Sequence, residues 1–481
     1  MNQKELTGPV HGLGGLTARL VRARLGQREG ESLLYLAGIL AYTVTISIAL
    51  MIAGGTWMFY NRANHPRGLM GEVVAIDPSF KSVLFFYFGL AIFACALIVP
   101  SIISLAAKSA VLGAKGRENR LASLRLLGLS SGEVTRMALL ECFVQSIIGA
   151  AAGIAIYLFS LQLWTKLNVQ ATQIEAKEML LPWWLLLSVL GFLMLIALAS
   201  SWWGMQQVRI SPLGVAKKSN KPALKVWRVA AFFALIAGAL IANQVFVRSA
   251  ETTTFIILGS IVLAVVYGFN LLGPYLLQIL ARLISKLRWP ALMVAARRII
   301  ADPKATWRRV FGMGLLAFIA GYVSNMPVSF NSDQHLEQTI KSFIELSRWD
   351  INKGVMITLV ISFVLNSVSM LVNQASDVIE RAEQSRALAK IGAPKSFELR
   401  VIWLETLGPL VLAVLMGGLL GTIFSMPMVN MYNNVTGEMP ETSYLQMSML
   451  MAAGLLVSAL AILACHPLYR RVLAQQRRTN D

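Results

Sequence analysis

The stretch Arg117–Glu141, RENRLASLRLLGLSSGEVTRMALLE, sits between two long apolar runs and returns 264 residues later without a gap. Arg117 falls on Arg381, Leu124 on Leu388, Gly128 on Gly392, Arg136 on Arg400, Leu140 on Leu404, Glu141 on Glu405 and Gly153 on Gly417. The apolar runs that flank the two copies match as well. A repeat of such long period constrains a chain more than any local pattern, because each copy has to fold as the same unit.

Those apolar runs decide the solvent. Several exceed 18 residues with almost no charge, which is long enough to cross a bilayer. Of the 481 residues only 14% are charged, against about 25% in a soluble domain. The net charge of +19 would point to nucleic acid on a soluble chain. Here the basic clusters abut apolar runs, so the positive-inside bias accounts for them and no nucleic-acid partner is expected. Cys95, Cys142 and Cys465 all lie in apolar runs, with no CxxC pair and no disulfide framework. The four histidines have no metal-ligand spacing. About thirty residues precede the first span, which does not read as a cleavable signal.

Ten spans are expected, at about 33–60, 82–112, 137–164, 181–203, 229–247, 253–283, 310–330, 354–378, 401–426 and 445–468. Residues 11–28 alternate Leu and Val with Arg19, Arg22, Arg24 and Arg28, and read as an amphipathic helix among anionic headgroups. The run WPALMVAARRIIADP resembles it and precedes span 7. Segments 204–228 and 284–309 and the tail are rich in Lys and Arg, whereas the intervening loops are short and near neutral or acidic. Segment 331–352, with Asp333, Glu337, Glu345 and Asp350, reads as a short outer surface helix. An even number of spans with both ends basic places both termini inside. The expected fold is an all-α polytopic membrane protein, two parallel four-helix repeats plus a two-helix connector. The boundaries follow: an amphipathic helix 1–32, a first repeat 33–216, a connector 217–284, an amphipathic helix 285–309, a second repeat 310–468 and a basic tail 469–481.

Within the repeated stretch, Leu121, Leu124 and Leu127 recur every third residue among Arg117, Arg120 and Arg125. That pattern makes a short amphipathic helix at the inner surface. Gly128 then stands where a helix end wants a left-handed residue. Ser130 or Ser131 can cap the next helix, with Glu133 in its first turn. The second copy repeats the plan with Gly392, Ala393, Pro394 and Lys395. A helix, a sharp turn and a helix entering the membrane make an elbow suited to receiving force from a soluble partner. The same pattern would serve a surface helix that only anchors span 3, and its repetition in both halves favours docking.

The run RLASLRLLGLSSGEVTRMALLE resembles the signature of FtsX-like permeases, the membrane subunits of an ABC transporter superfamily with the type VII, or mechanotransmission, fold. Leu121, Ala122, Leu124, Arg125, Leu127, Gly128, Ser130 and Glu141 match that pattern as they stand. Arg120 and Gln384 stand where the family has an acid, and Ala389 and Arg386 depart from it in the second copy. RISPLGVAKK resembles the segment that closes the domain, with His466–Pro467–Leu468 as a degenerate partner. The tandem ten-span plan is similar to permeases of antimicrobial-peptide resistance transporters of the bacitracin-exporter type. Those carry a large extracellular domain where this chain has about twenty residues.

The resemblance implies a separate ATPase that carries the ATP and Mg, since this chain has no GxxxxGK[ST] loop and binds no cofactor of its own. It implies two copies of a cytoplasmic ABC ATPase, docked on coupling helices at Arg117, Arg120, Leu121, Leu124, Arg125, Leu127, Gly128 and Ser130. The second set is Arg381, Arg386, Leu388, Lys390, Gly392 and Ala393. It also implies a multi-pass protein of a bacterial plasma membrane, in contact with membrane lipids.

Glu141 and Glu405 fall at the starts of spans 3 and 9, where an ion pair to a basic neighbour outranks a proton relay. Asn270, Asn366 and Asn373 are expected to hydrogen-bond between helices. Gly149, Gly153, Gly417, Gly418 and Gly421 allow helices to approach closely. With no nucleophile–base pair, carboxylate dyad or metal cluster, the chain is expected to be a non-catalytic subunit. Export or membrane extraction of an amphipathic compound, a small molecule or peptide such as an antimicrobial, lipid or haem-like molecule, is the first reading of its function. A mechanotransmitter that regulates a cell-wall enzyme or sensor kinase is the alternative.

Overall fold

The computed structural model describes residues 30–115, 130–170, 172–210, 227, 229–234, 237–238, 251–324, 338–380, 387, 390–392, 394–436 and 444–464. These residues are almost entirely helical. Six helices are long and apolar enough to cross a membrane, at Tyr35–Asn64, Lys81–Val111, Thr135–Trp164, Trp183–Gly204, Lys353–Val378 and Ser396–Met426. They coincide with expected spans 1, 2, 3, 4, 8 and 9, and the protein is a multi-pass membrane protein. Expected spans 6, 7 and 10 correspond to helices 251–284, 303–324 and 444–464, of which Gly268–Ile284 and Met451–Leu460 are shorter apolar stretches. Expected span 5 lies largely outside the described residues, as does segment 11–28.

The helices fall into two compact units. The first holds α1 (Gly30–Asn64), α2 (Leu69–Ile76), α3 (Lys81–Lys115), α4 (Ser131–Trp164), a hairpin of β1 (Asn168–Val169) and β2 (Thr172–Gln173), α5 (Ala176–Met179) and α6 (Trp183–Ile210). Helix α10 (Gln338–Glu380) belongs to it as well. In the second are α7 (Glu251–Ile284), α8 (Pro290–Ala301), α9 (Pro303–Ser324), α11 (Lys395–Thr436) and α12 (Tyr444–Ala464). Helix α10 comes more than a hundred residues after α6 in the sequence and nevertheless packs on α1, α2 and α3.

Helix α1 is the centre of the first unit, packed against α3, α4 and α10. Ala41, Ile46, Leu50 and Ala63 are fully buried along it. Its hydroxyls bond back into the helix, Thr43 to the Ile39 carbonyl (2.9 Å) and Thr45 to that of Ala41 (2.7 Å), so neither hydroxyl is left facing apolar neighbours. Helix α4 crosses α1 closely: a Cβ on Gly153 would lie 2.7 Å from Ile46. In the second unit α11 crosses α9 in the same manner, and a Cβ on Gly417 would overlap the Gly314 carbonyl oxygen. Gly417 stands 264 positions after Gly153, the same shift that aligns the two similar sequence stretches. Without a hydrophobic drive between helices in lipid, such small-residue crossings supply the close packing that holds a bundle together. Trp307 is completely buried in the second unit, edge-on to Phe269 with ring centroids 5.1 Å apart.

The hairpin end of the first unit is tied by Arg62. Its guanidinium donates to Glu178 (Nε 3.0 Å, Nη2 2.5 Å) and to the carbonyls of Val169 (2.8 Å) and Gln173 (3.3 Å). Asp350 of α10 accepts from the backbone N–H of Gln170, a residue with φ of 58°. Lys353 donates to the Asn168 carbonyl at 2.9 Å. The short segment between α4 and α6 is thus a small hairpin held by α1 on one side and α10 on the other.

Candidate functional site

The two similar stretches, 117–141 and 381–405, are described only in part. In the first, Arg117, Arg120, Leu121, Leu124, Arg125, Leu127 and Gly128 fall outside the described residues, and Ser130 is the first described residue after them. Ser130 caps α4 in a reciprocal box. The Glu133 N–H donates to Ser130 Oγ (3.3 Å), and the Ser130 N–H donates to Glu133 Oε2 (2.9 Å). This satisfies two of the amides that a helix start leaves orphaned. The hydrogen bonds from the Ser130 side chain, then from its backbone, hold the Glu133 carboxyl below its ordinary range.

In the second elbow, Arg381, Arg386, Leu388 and Ala393 fall outside the described residues, while Lys390 and Gly392 are exposed. The Ile391 N–H closes a turn on the Ala387 carbonyl (3.2 Å) and Gly392 follows with φ of 95°. Only glycine adopts that conformation without strain, so the chain reverses here. Pro394 lies immediately before α11 and receives the Phe397 N–H on its carbonyl at 2.9 Å. Ile391 is 83% exposed at the tip of this turn. It was not among the residues singled out from sequence, although it falls on Leu127 at the same 264-residue shift. That shared apolar position was the available signal.

Behind the second elbow, Arg298 of α8 reaches two carboxylates of α11. It lies 3.4 Å from Glu405 and 3.8 Å from Glu398, with all three side chains less than one fifth exposed. Glu398 also sits in the first turn of α11, where the helix dipole favours an acid. Helix α8 is seated by Ala296 and Ile299 against Leu277, Ala281 and Leu412. Its rotation turns Arg298 inward and leaves Arg297 exposed. The ion pair expected at Glu405 is therefore present, and the participation of Glu398 was not foreseen.

Glu141, 264 positions before Glu405, is 1% exposed within α4 beside buried Met137, Ala138 and Cys142. Asn366 departs from its expected role. Its amide donates to the Ser362 carbonyl of its own helix (2.9 Å), because that acceptor one turn back is within direct reach of the side chain. An interhelical polar contact is made one turn further on, where Lys108 of α3 donates to Ser369 of α10 at 3.0 Å.

Residues 92–213 match the family model described as FtsX-like permease C-terminal. The match runs from α3 through the first elbow, α4 and α6 to just past α6. No curated protein matches the chain.

Proposed function

We propose, on the premise that the chain carries an FtsX-like permease domain at residues 92–213, that it is the membrane subunit of an ABC transporter. In this reading a separate cytoplasmic ATPase binds and hydrolyses ATP with Mg, and the chain itself is non-catalytic. Ten spans in two parallel repeats make one chain a pseudo-dimer with two elbows, and each elbow takes one ATPase copy. The termini face the cytoplasm of a bacterial cell. Closure of the ATPase dimer drives the elbows together and tilts the spans, exporting or extracting an amphipathic compound such as an antimicrobial, a lipid or a haem-like molecule. One observation supports the reading: Ile391, an apolar side chain 83% exposed, stands on a glycine-reversed turn in the stretch that this reading takes as a docking element. An exposed isoleucine at a tight surface turn is suited to entering a pocket on a soluble partner.

A second reading, transmission of movement to an outer partner, is favoured by α10. That helix continues unbroken for 43 residues, from Gln338 to Glu380, and ends at the second elbow. Near its other end Asp350 holds the hairpin at Gln170. A tagged pull-down of the full chain from detergent, with stoichiometry by native mass, tests the proposal. Two ATPase copies on the wild type, lost in Leu124→Glu combined with Leu388→Glu and reduced in Ile391→Glu, are expected. Recovery of the chain with a wall enzyme and no ATPase would move the balance to the second reading, and recovery of the chain alone would sink both.

A further inference from the structure

From the end of α7 to the start of α9, residues 282–309 contain eight Lys and Arg side chains and one acid, Asp302. Asp302 is engaged in capping, with its carboxylate accepting from the Ala305 N–H at 3.1 Å. Arg298 is turned inward to Glu398 and Glu405. Six of the cations are exposed: Arg282, Lys286, Arg288, Arg297, Lys304 and Arg308. None of these six side chains makes an ion pair or hydrogen bond with the described residues.

Apolar side chains run into this patch. Leu280, Leu283 and Leu287 follow one another at helical spacing down the exposed face of α7 and just past its end, at 38%, 57% and 52% exposure, and Trp289 beyond them is 74% exposed. Arg282, Lys286 and Arg288 alternate with them. The cations are therefore interleaved with the last outward apolar side chains of α7, where its apolar stretch Gly268–Ile284 ends. A partner that covers those leucines and meets the cations in one continuous surface is apolar along its length and anionic at its head. Long basic side chains lie along such a boundary with their stems on apolar matter and their charges in the headgroup layer, and tryptophan concentrates at the same level.

We propose that the Arg282–Arg308 segment is a seat for anionic phospholipid headgroups, with Leu283, Leu287 and Trp289 entering the acyl boundary. The platform is fixed rather than floating, since α8 is seated on α7 and α11 through Ala296, Ile299 and Leu412. A bound headgroup thereby steadies the helix that presents Arg298 to the base of α11. This inference needs only the membrane location and does not rest on the ATPase reading.

The test uses the full chain in detergent, titrated with phosphatidylglycerol or phosphatidylcholine and read by native mass spectrometry. Each cation near an anionic surface contributes about fivefold to binding before screening. The wild type is expected to hold phosphatidylglycerol about tenfold more tightly than phosphatidylcholine. The triple variant Arg282→Gln, Lys286→Gln, Arg288→Gln is expected to lose that preference. Should the variant fold poorly, the wild type alone decides: phosphatidylglycerol raises its melting temperature, phosphatidylcholine does not, and high salt abolishes the difference. Equal retention of the two lipids by the wild type overturns the proposal. So does a triple variant that keeps the preference but loses a co-purified ATPase, which would make this face a protein-docking surface. Loss of ATPase in the elbow variants with lipid preference intact would support the lipid seat while the elbows are tested separately.

Discussion

Asp350 accepts a hydrogen bond from the backbone N–H of Gln170, 180 positions earlier in the chain. The carboxylate is 3% exposed and also pairs with Lys353 at 3.2 Å. One side chain on α10 thus holds the turn of a hairpin that joins α4 to α6, and Lys353 fastens the same hairpin at Asn168. The strand pairs themselves are two residues long, too short to be stable without such ties.

Replacing Asp350 by Ala leaves the Gln170 N–H buried without an acceptor. A hydrogen bond to a charged group is worth about 2 kcal/mol, so amides of the hairpin are expected to exchange faster by roughly thirtyfold. Asp350→Asn keeps an acceptor oxygen and is expected to restore most of the protection. Hydrogen–deuterium exchange of peptides covering 165–175 separates the two, and equal protection in wild type and Asp350→Ala would show that the tie does not hold the turn.

Gly417→Val forces a side chain into the backbone of Gly314, which has no rotamer to escape by. The close crossing of α9 and α11 is expected to be lost, at about 3 kcal/mol. Gly408 lies on the same helix, and a Cβ placed there would have nothing within 4 Å. Gly408→Val is therefore the control, and its melting in detergent is expected to follow the wild type. Similar melting of both variants would remove the crossing as a source of stability.

Arg298→Met strands Glu398 and Glu405 close to one another with only about a tenth of their side chains exposed. Removing one partner of a buried pair costs about 3 kcal/mol when the remainder stays charged. Because the Arg298 side chain retains 18% exposure, the loss is expected nearer about 2 kcal/mol. The triple replacement Arg298→Met, Glu398→Gln, Glu405→Gln is expected to recover part of it. A melting series in detergent checks the order, which fails if Arg298→Met alone is neutral.

The Ser130–Glu133 box is expected to make the start of α4 sensitive to pH. Ser130 lowers the Glu133 carboxyl in the folded helix. A depressed carboxyl contributes stability above its ordinary value of 4.5 and loses it as pH falls through the lowered one. Amide exchange at residues 130–134, corrected for intrinsic rates, is expected to hold steady from about pH 7 and to rise several-fold towards about pH 3. Ser130→Ala is expected to exchange fast throughout. A wild-type profile that is flat across the whole range would exclude the box as its source.

Six spans were legible because each is a run of apolar residues whose length alone implies a crossing. The Ser130 cap and the Gly392 reversal were legible for a local reason: capping and φ > 0 depend on one residue type at one place. What escaped was which helix packs with which. Lys108 reads from sequence only as a cation at the inner end of a span, and nothing nearby names Ser369 as its partner. Arg62 lies among polar residues after a span, and its four acceptor contacts come from the hairpin and α5, more than a hundred positions away. Arg298 and Arg297 are alike in sequence. Only the rotation of α8 separates the one that meets Glu405 from the one that stays exposed.

The place of α10 in the first unit also sets a timetable for synthesis. Helices α1 to α6 leave the ribosome by Ile210, and α10 does not begin until Gln338. At the ordinary pace of translation the interval is about ten seconds. Through that time the newborn bundle holds Lys108 without Ser369 and the Gln170 amide without Asp350. Its final assembly has to wait in the bilayer for a helix still being made, and any factor that guards unfinished membrane helices would find its substrate there.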